Sequence, residues 1–166
     1  MLKFFLNDNS TSYLRHLETE FGESSNAIRI ELNRFEKAGL LRSFTRKNRK
    51  YFQANKHHPL YKDIHNIILK YVGIDRVIEN VVDNLGDLEK VFLTGEFAEG
   101  RDNSIIDFIF VGERLNKSYL FRLIEKAEKI IHRKIRYLVM SMEEFDEYVM
   151  KNTNGSVLFL WEGEER

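Results

Sequence analysis

Between Val91 and Gly112 the chain reads VFLTGEFAEGRDNSIIDFIFVG. Four acids, Glu96, Glu99, Asp102 and Asp107, fall within twelve residues and lie beside two glycines, Gly95 and Gly100. Carboxylates grouped in this way are the raw material of a divalent-cation site. Two such cations can bridge a phosphate chain and an attacking hydroxyl. The competing reading is that loop carboxylates near a strand end are simply solvated. A second group of residues suits a different chemistry. Asn26, Arg29, Ile30, Asn33 and Lys37 recur at helical spacing, and Arg46, Lys47, Arg49 and Lys50 put four cations into five residues. Arg can fork onto guanine O6 and N7 and Asn onto adenine N6 and N7, while clustered cations reach phosphates.

The bulk composition permits both. With 43% apolar and 13% aromatic side chains in 166 residues, the chain can bury a core, as one large domain or two small ones. No apolar run approaches the roughly 18–20 residues that cross a bilayer, and the opening MLKFFLNDNSTSY lacks the pattern of a secretory leader. The absence of cysteine excludes disulfides and thiolate metal sites and fits a cytoplasmic protein with no membrane partner. The formal charge of zero conceals an asymmetry. Residues 1–75 carry 13 Lys and Arg against 8 Asp and Glu, and residues 76–166 carry 13 against 18, so the halves are +5 and −5. Two modules are expected, the first suited to a polyanion.

The elements that must position these residues follow from periodicity and punctuation. Leu2–Leu6 is a short apolar run that Asn7-Asp8-Asn9 closes. Ser10, Thr11 and Ser12 offer N-cap hydroxyls to a second helix with Leu14, Leu17 and Phe21 inward, ending at Gly22. Ser24 and Ser25 cap a third helix with Ala27, Ile28, Leu32 and Phe35 inward and Gly39 as its stop. Their hydroxyls and the helix N-terminus also make a natural phosphate contact. Strands are expected at Leu40–Phe44 and Tyr51–Ala54, joined by the polar turn Thr45–Lys50. After the break at His57-His58-Pro59 comes an amphipathic helix over Leu60–Val72, then another over Val77–Leu85 ending at Gly86. The domain boundary is placed at Gly73, giving 1–73 and 74–166. Beyond it, strand Val91–Thr94, strand Ile106–Val111, helix Tyr119–Ile131, strand Ile135–Met140, helix Glu143–Lys151 and an apolar run Val157–Trp161 alternate as in an α/β layer, before a charged tail.

Two helices about a Gly-bearing turn followed by a basic-tipped hairpin form a winged helix-turn-helix pattern. SSNAIRIELNRFEKAGLL with NRKYFQAN resembles the ArsR-like winged-helix regulators. That resemblance implies a homodimer on double-stranded DNA, with Ser24, Ser25, Asn26, Arg29, Asn33, Arg46, Lys47, Arg49 and Lys50 at the DNA. The cysteine or histidine cluster that some of these regulators use to sense metal is missing, and His57-His58 reads as loop.

The Val91–Gly112 stretch resembles the opening of the nucleotidyltransferase fold of the polymerase-beta superfamily, whose pattern is Gly-Ser, a further Gly, then Asp-x-Asp. Here Gly95, Gly100 and Asp107 match, Glu96 stands at the Ser position and Ile105 at the first Asp. The later strand, Lys134–Leu138, supplies no third acid. The resemblance therefore implies an α+β two-domain chain: a winged helix-turn-helix followed by an α/β nucleotidyltransferase-like domain with a mixed sheet, without catalytic residues, metal or cofactor. The expectation is a DNA-binding transcriptional regulator whose second domain serves dimerisation or sensing of a small-molecule or protein effector. The alternatives are an active nucleotidyltransferase with a rearranged carboxylate set, and a helix-turn-helix face that binds protein.

Overall fold

The computed structural model describes residues 2–7, 9–82, 85–152 and 156–163. It divides into two compact units, Met1–Ile68 and Leu69–Arg166. Among the described residues it holds eight helices and seven strands, a mixed α and β architecture.

The first unit runs α1 (Leu2–Phe5), β1 (Thr11–Tyr13), α2 (Leu14–Phe21), α3 (Ser25–Lys37), β2 (Leu41–Arg46) and β3 (Arg49–Ala54), then enters α4 (Tyr61–Val72). Its three strands are antiparallel in the order β1-β3-β2. Phe4, Phe5, Leu6, Leu17, Leu32, Leu41, Phe52 and Ala54 are buried and form the apolar interior. Helix α2 stops because Gly22 takes a left-handed conformation, φ 65°, and donates its N–H to the Glu18 carbonyl. Helix α3 starts because Ser24 Oγ accepts the Ala27 N–H at 3.2 Å.

Three sequence expectations are corrected here. Thr11–Tyr13 is a strand, so Ser12 is no helix cap. It lies buried opposite Phe52, with its hydroxyl 3.0 Å from His16 Nδ1. Helix α2 therefore begins after Tyr13 without a side-chain cap, and the backbone of Thr11–Tyr13 pairs with β3. Phe21 and Ala27, expected inward, are exposed, because the helices meet around Leu17 and Leu32 instead. The hairpin turn is shorter than Thr45–Lys50. Pairing continues to Arg46 opposite Arg49, leaving the two-residue loop Lys47-Asn48 with φ 49° and 59°. Two consecutive positive φ values define the tight turn whose twist matches a hairpin.

The second unit contains α5 (Ile74–Val82), β4 (Asp87–Thr94), α6 (Gly95–Ala98), β5 (Ile105–Glu113), α7 (Lys117–Ile131), β6 (Lys134–Met140), α8 (Met142–Lys151) and β7 (Leu158–Glu162). The sheet order is β6-β5-β4-β7. Strands β5 and β6 are parallel and the other pairs antiparallel, so the sheet is mixed. The parallel pair requires a long crossover, which α7 supplies. Strand β5 reads as a nearly continuous apolar run because Ile106 and Phe108 through Val111 are all buried, as a central strand covered on both faces demands. On one face Ile109 and Val111 pack with Phe92 and with Phe145 of α8. Helix α8 opens on a complete capping box between Ser141 and Glu144.

The helix expected over Val77–Leu85 begins earlier, at Ile74. Its continuation through residues 83 and 84, the middle of the Asn7-Asp8-Asn9 turn and the end of the charged tail lie outside the described residues. No helix among the described residues is long and apolar enough to cross a membrane.

Candidate functional site

In the second unit, Gly95 follows β4 and opens the single turn of α6. Its φ is 66°, and a Cβ built there would lie 2.6 Å from Asp107 Oδ2, so the backbone approaches this carboxylate more closely than any side chain allows. Asp107 faces Thr94 across β4–β5 and Arg136 across β5–β6. Arg136 donates to it twice, Nε to Oδ1 at 2.6 Å and Nη2 to Oδ2 at 3.0 Å. The bidentate bond and the adjacent negative charge push the Arg136 guanidinium further toward its charged form. The Asp107 side chain is only 16% exposed, and the pair places one donated bond on each of its two oxygens.

The other acids are similarly engaged. Glu96 and Glu99 both pair with Arg101, and Asp102 pairs with Arg133 at 2.7 Å. All four carboxylates of the loop thus face an arginine, and no three metal-ligating side chains converge among the described residues. This donor set does not fit a pair of divalent cations, which need convergent carboxylate oxygens with free lone pairs. Gly100, at φ 76°, donates its N–H to the Phe97 carbonyl and shapes the exit from α6. Thr94, Gly95, Asp107, Arg136, Tyr137 and Tyr148 border a cavity of about 370 Å³. The sequence identified Gly95 and Asp107 but missed Arg136, since only the β5–β6 register brings it opposite Asp107.

In the first unit, Ser24, Ser25, Asn26, Arg29 and Asn33 lie on or just before α3 and are all exposed. Arg46 and Lys47 occupy the hairpin end and Arg49 and Lys50 begin β3, all four exposed. A cavity of about 480 Å³ brings Arg29, Asn33, Arg49 and Lys50 together with Tyr13, Leu14, Arg15, Leu32 and Phe52. Ser24, Ser25, Asn26, Arg46 and Lys47 do not line it. Lys50 reaches back to α3 and donates to Glu36 Oε2 at 2.7 Å, and Ser43 donates to Oε1. These bonds, Lys50 first, hold the Glu36 carboxyl below the usual range. Arg49 lies over the Tyr13 ring at 5.0 Å. Arg15 and Tyr13 were not singled out from the sequence. Their relevance depends on β1 pairing with β3, and a three-residue strand running straight into a helix gives no periodic signal.

No protein-family profile matches the chain, and no curated protein matches it. Among solved structures it is similar to a candidate nucleotidyltransferase from Sulfolobus solfataricus, at 21% identity over 61% of this chain and 88% of that one, with a TM-score of 0.42. A likeness of that degree carries no inference about chemistry.

Proposed function

We propose that this chain is a sequence-specific DNA-binding regulator. In this reading the first unit is a winged helix-turn-helix that acts as a homodimer, and the second is a nucleotidyltransferase-like scaffold that no longer catalyses transfer. The observation that carries it is the order and exposure of the first unit's parts. Two helices meet at a short turn, α3 presents Asn26, Arg29 and Asn33 outward, and a tight hairpin follows with Arg46, Lys47, Arg49 and Lys50 exposed. A recognition helix in the major groove reads base edges with such side chains, while cations on a hairpin bind phosphates and fix the register.

For the homodimer, Leu60, immediately before α4, and Ile67 on it supply exposed apolar side chains seven residues apart, as a seam between two copies would need. Two recognition helices in successive major grooves must then stand about 34–36 Å apart. For the scaffold reading, the support is that Arg136 occupies Asp107 and Arg101 occupies Glu96, positions where catalysis would require metal and phosphate.

The test is a gel shift on DNA from the chain's own promoter region across a salt series. The triple variant Arg29→Ala, Arg46→Ala, Arg49→Ala should weaken binding at least tenfold, and each lost phosphate contact should lower the salt slope by about one. Unchanged binding by the triple variant would refute the reading, and failure to bind any DNA at low salt would favour a protein partner for α3. Label transfer from a nucleoside triphosphate with Mg²⁺ or Mn²⁺, abolished in Asp107→Ala, would overturn the scaffold reading.

A further inference from the structure

The cavity among β1, α2, α3 and β3 has a composition that DNA binding leaves unexplained. Its interior is apolar: Leu32 and Phe52 are buried, and Leu14 and Tyr13 are half-buried beside them. Its other lining residues include four cations, Arg15, Arg29, Arg49 and Lys50, and no carboxylate. Two of these cations already have partners, Lys50 in Glu36 and Arg49 in the Tyr13 ring. Arg15 and Arg29 make no ion pair among the described residues. A volume of about 480 Å³ lies within the range of small-molecule sites, roughly 300–1,000 Å³.

A DNA phosphate would satisfy the arginines but leave the apolar interior wet, because a phosphodiester is hydrophilic on every side. A flat ring carrying an anionic group satisfies both parts, with the ring against Leu14, Leu32 and Phe52 and the anion between Arg15 and Arg29. We infer that this cavity binds a small aromatic anion, a planar ring system bearing a phosphate or carboxylate, and that its occupancy excludes DNA. The exclusion rests on the DNA reading above. It follows because Arg29 and Asn33 line the cavity and also belong to the proposed groove-facing set, and because a bound anion adds negative charge where phosphates must approach.

The test uses the full chain and isothermal titration calorimetry without DNA. The probes are adenosine monophosphate for the organic-phosphate source and salicylate for the carboxylate source. Adenosine supplies a ring without charge, and inorganic phosphate supplies charge without a ring. At least one probe should bind tenfold or more tightly than both controls. Arg15→Ala and, separately, Arg29→Ala should each weaken that binding at least tenfold, with circular dichroism checking the fold of each variant. No preference over the controls, or binding indifferent to both arginines, would overturn the site. A gel shift repeated with the bound probe at ten times its Kd should raise the apparent Kd for DNA about tenfold. An unmoved DNA affinity would refute the exclusion while leaving the ligand site. A chain that binds no DNA would remove the DNA reading and the exclusion with it, and the ligand site would still be decided by calorimetry.

Discussion

Replacing Gly95 by Ala separates a residue kept for shape from one kept for chemistry. Two costs are expected. A non-glycine residue at φ 66° sits in the left-handed region, at a cost of about 1–2 kcal/mol. The new Cβ would also lie 2.6 Å from Asp107 Oδ2, so the carboxylate must shift by several tenths of an ångström while held by two bonds from Arg136. Relieving that overlap adds roughly 1–2 kcal/mol, as overpacking a filled site does, so the total is about 2–4 kcal/mol. The chain's single tryptophan, Trp161, lies in β7 opposite Val91, so its fluorescence in a urea titration reports on the second unit alone. In an Asp107→Ala background the close approach is gone and only the backbone term remains. Gly95→Ala should then cost about 1–2 kcal/mol, leaving a coupling of similar size in the double-mutant cycle. Strict additivity, or a cost below about 0.5 kcal/mol in the wild-type background, would refute the argument that Gly95 is there to admit Asp107.

Two further perturbations probe the same unit. Phe145→Ala removes a ring stacked on Phe92 at 4.2 Å between centroids, in the cluster with Ile109 and Val111. It should cost about 3–5 kcal/mol by Trp161-monitored urea unfolding, and a cost under 1 would mean that α8 does not seal that face. Glu128 accepts the Lys134 ammonium at 2.8 Å and the Ile135 N–H at 2.7 Å, which hold its carboxyl below the usual range. A lowered folded value makes this contribution complete above the ordinary carboxylate range near 4.3, and it is lost as pH falls through the lowered value. The stability gap between wild type and Glu128→Gln should therefore shrink from pH 7 to pH 3. A gap that widened on acidification would contradict the assignment.

Most elements were legible because their signals are local. Ser24 before an apolar-periodic run marks the start of α3, Gly22 the end of α2, and the apolar Ile106–Val111 stretch, interrupted only by Asp107, a strand. The failures share one cause. Thr11–Tyr13 reads as a helix cap because Ser and Thr at that spacing usually are caps, but long-range pairing with Tyr51–Gln53 outweighed the local preference. The hairpin reads as a six-residue polar turn because Arg and Lys are poor strand markers, whereas the register extends to Arg46 and Arg49.

The residue types by themselves determined that the chain has a basic first half and an acidic second half. They also determined that Ile105 stands where the pattern's first Asp would be and that Lys134–Leu138 carries no acid. Charge and composition are properties of the chain and need no fold. What each remaining acid faces is a property of register, and only the tertiary structure decided it. The parallel pairing of β5 with β6 sets Arg136 against Asp107, and the return of β3 alongside β1 gathers Arg15, Arg29 and Arg49 around one apolar cavity. Those contacts join residues 29 positions apart in the first case and up to 34 in the second, distances over which no local pattern in the sequence carries information.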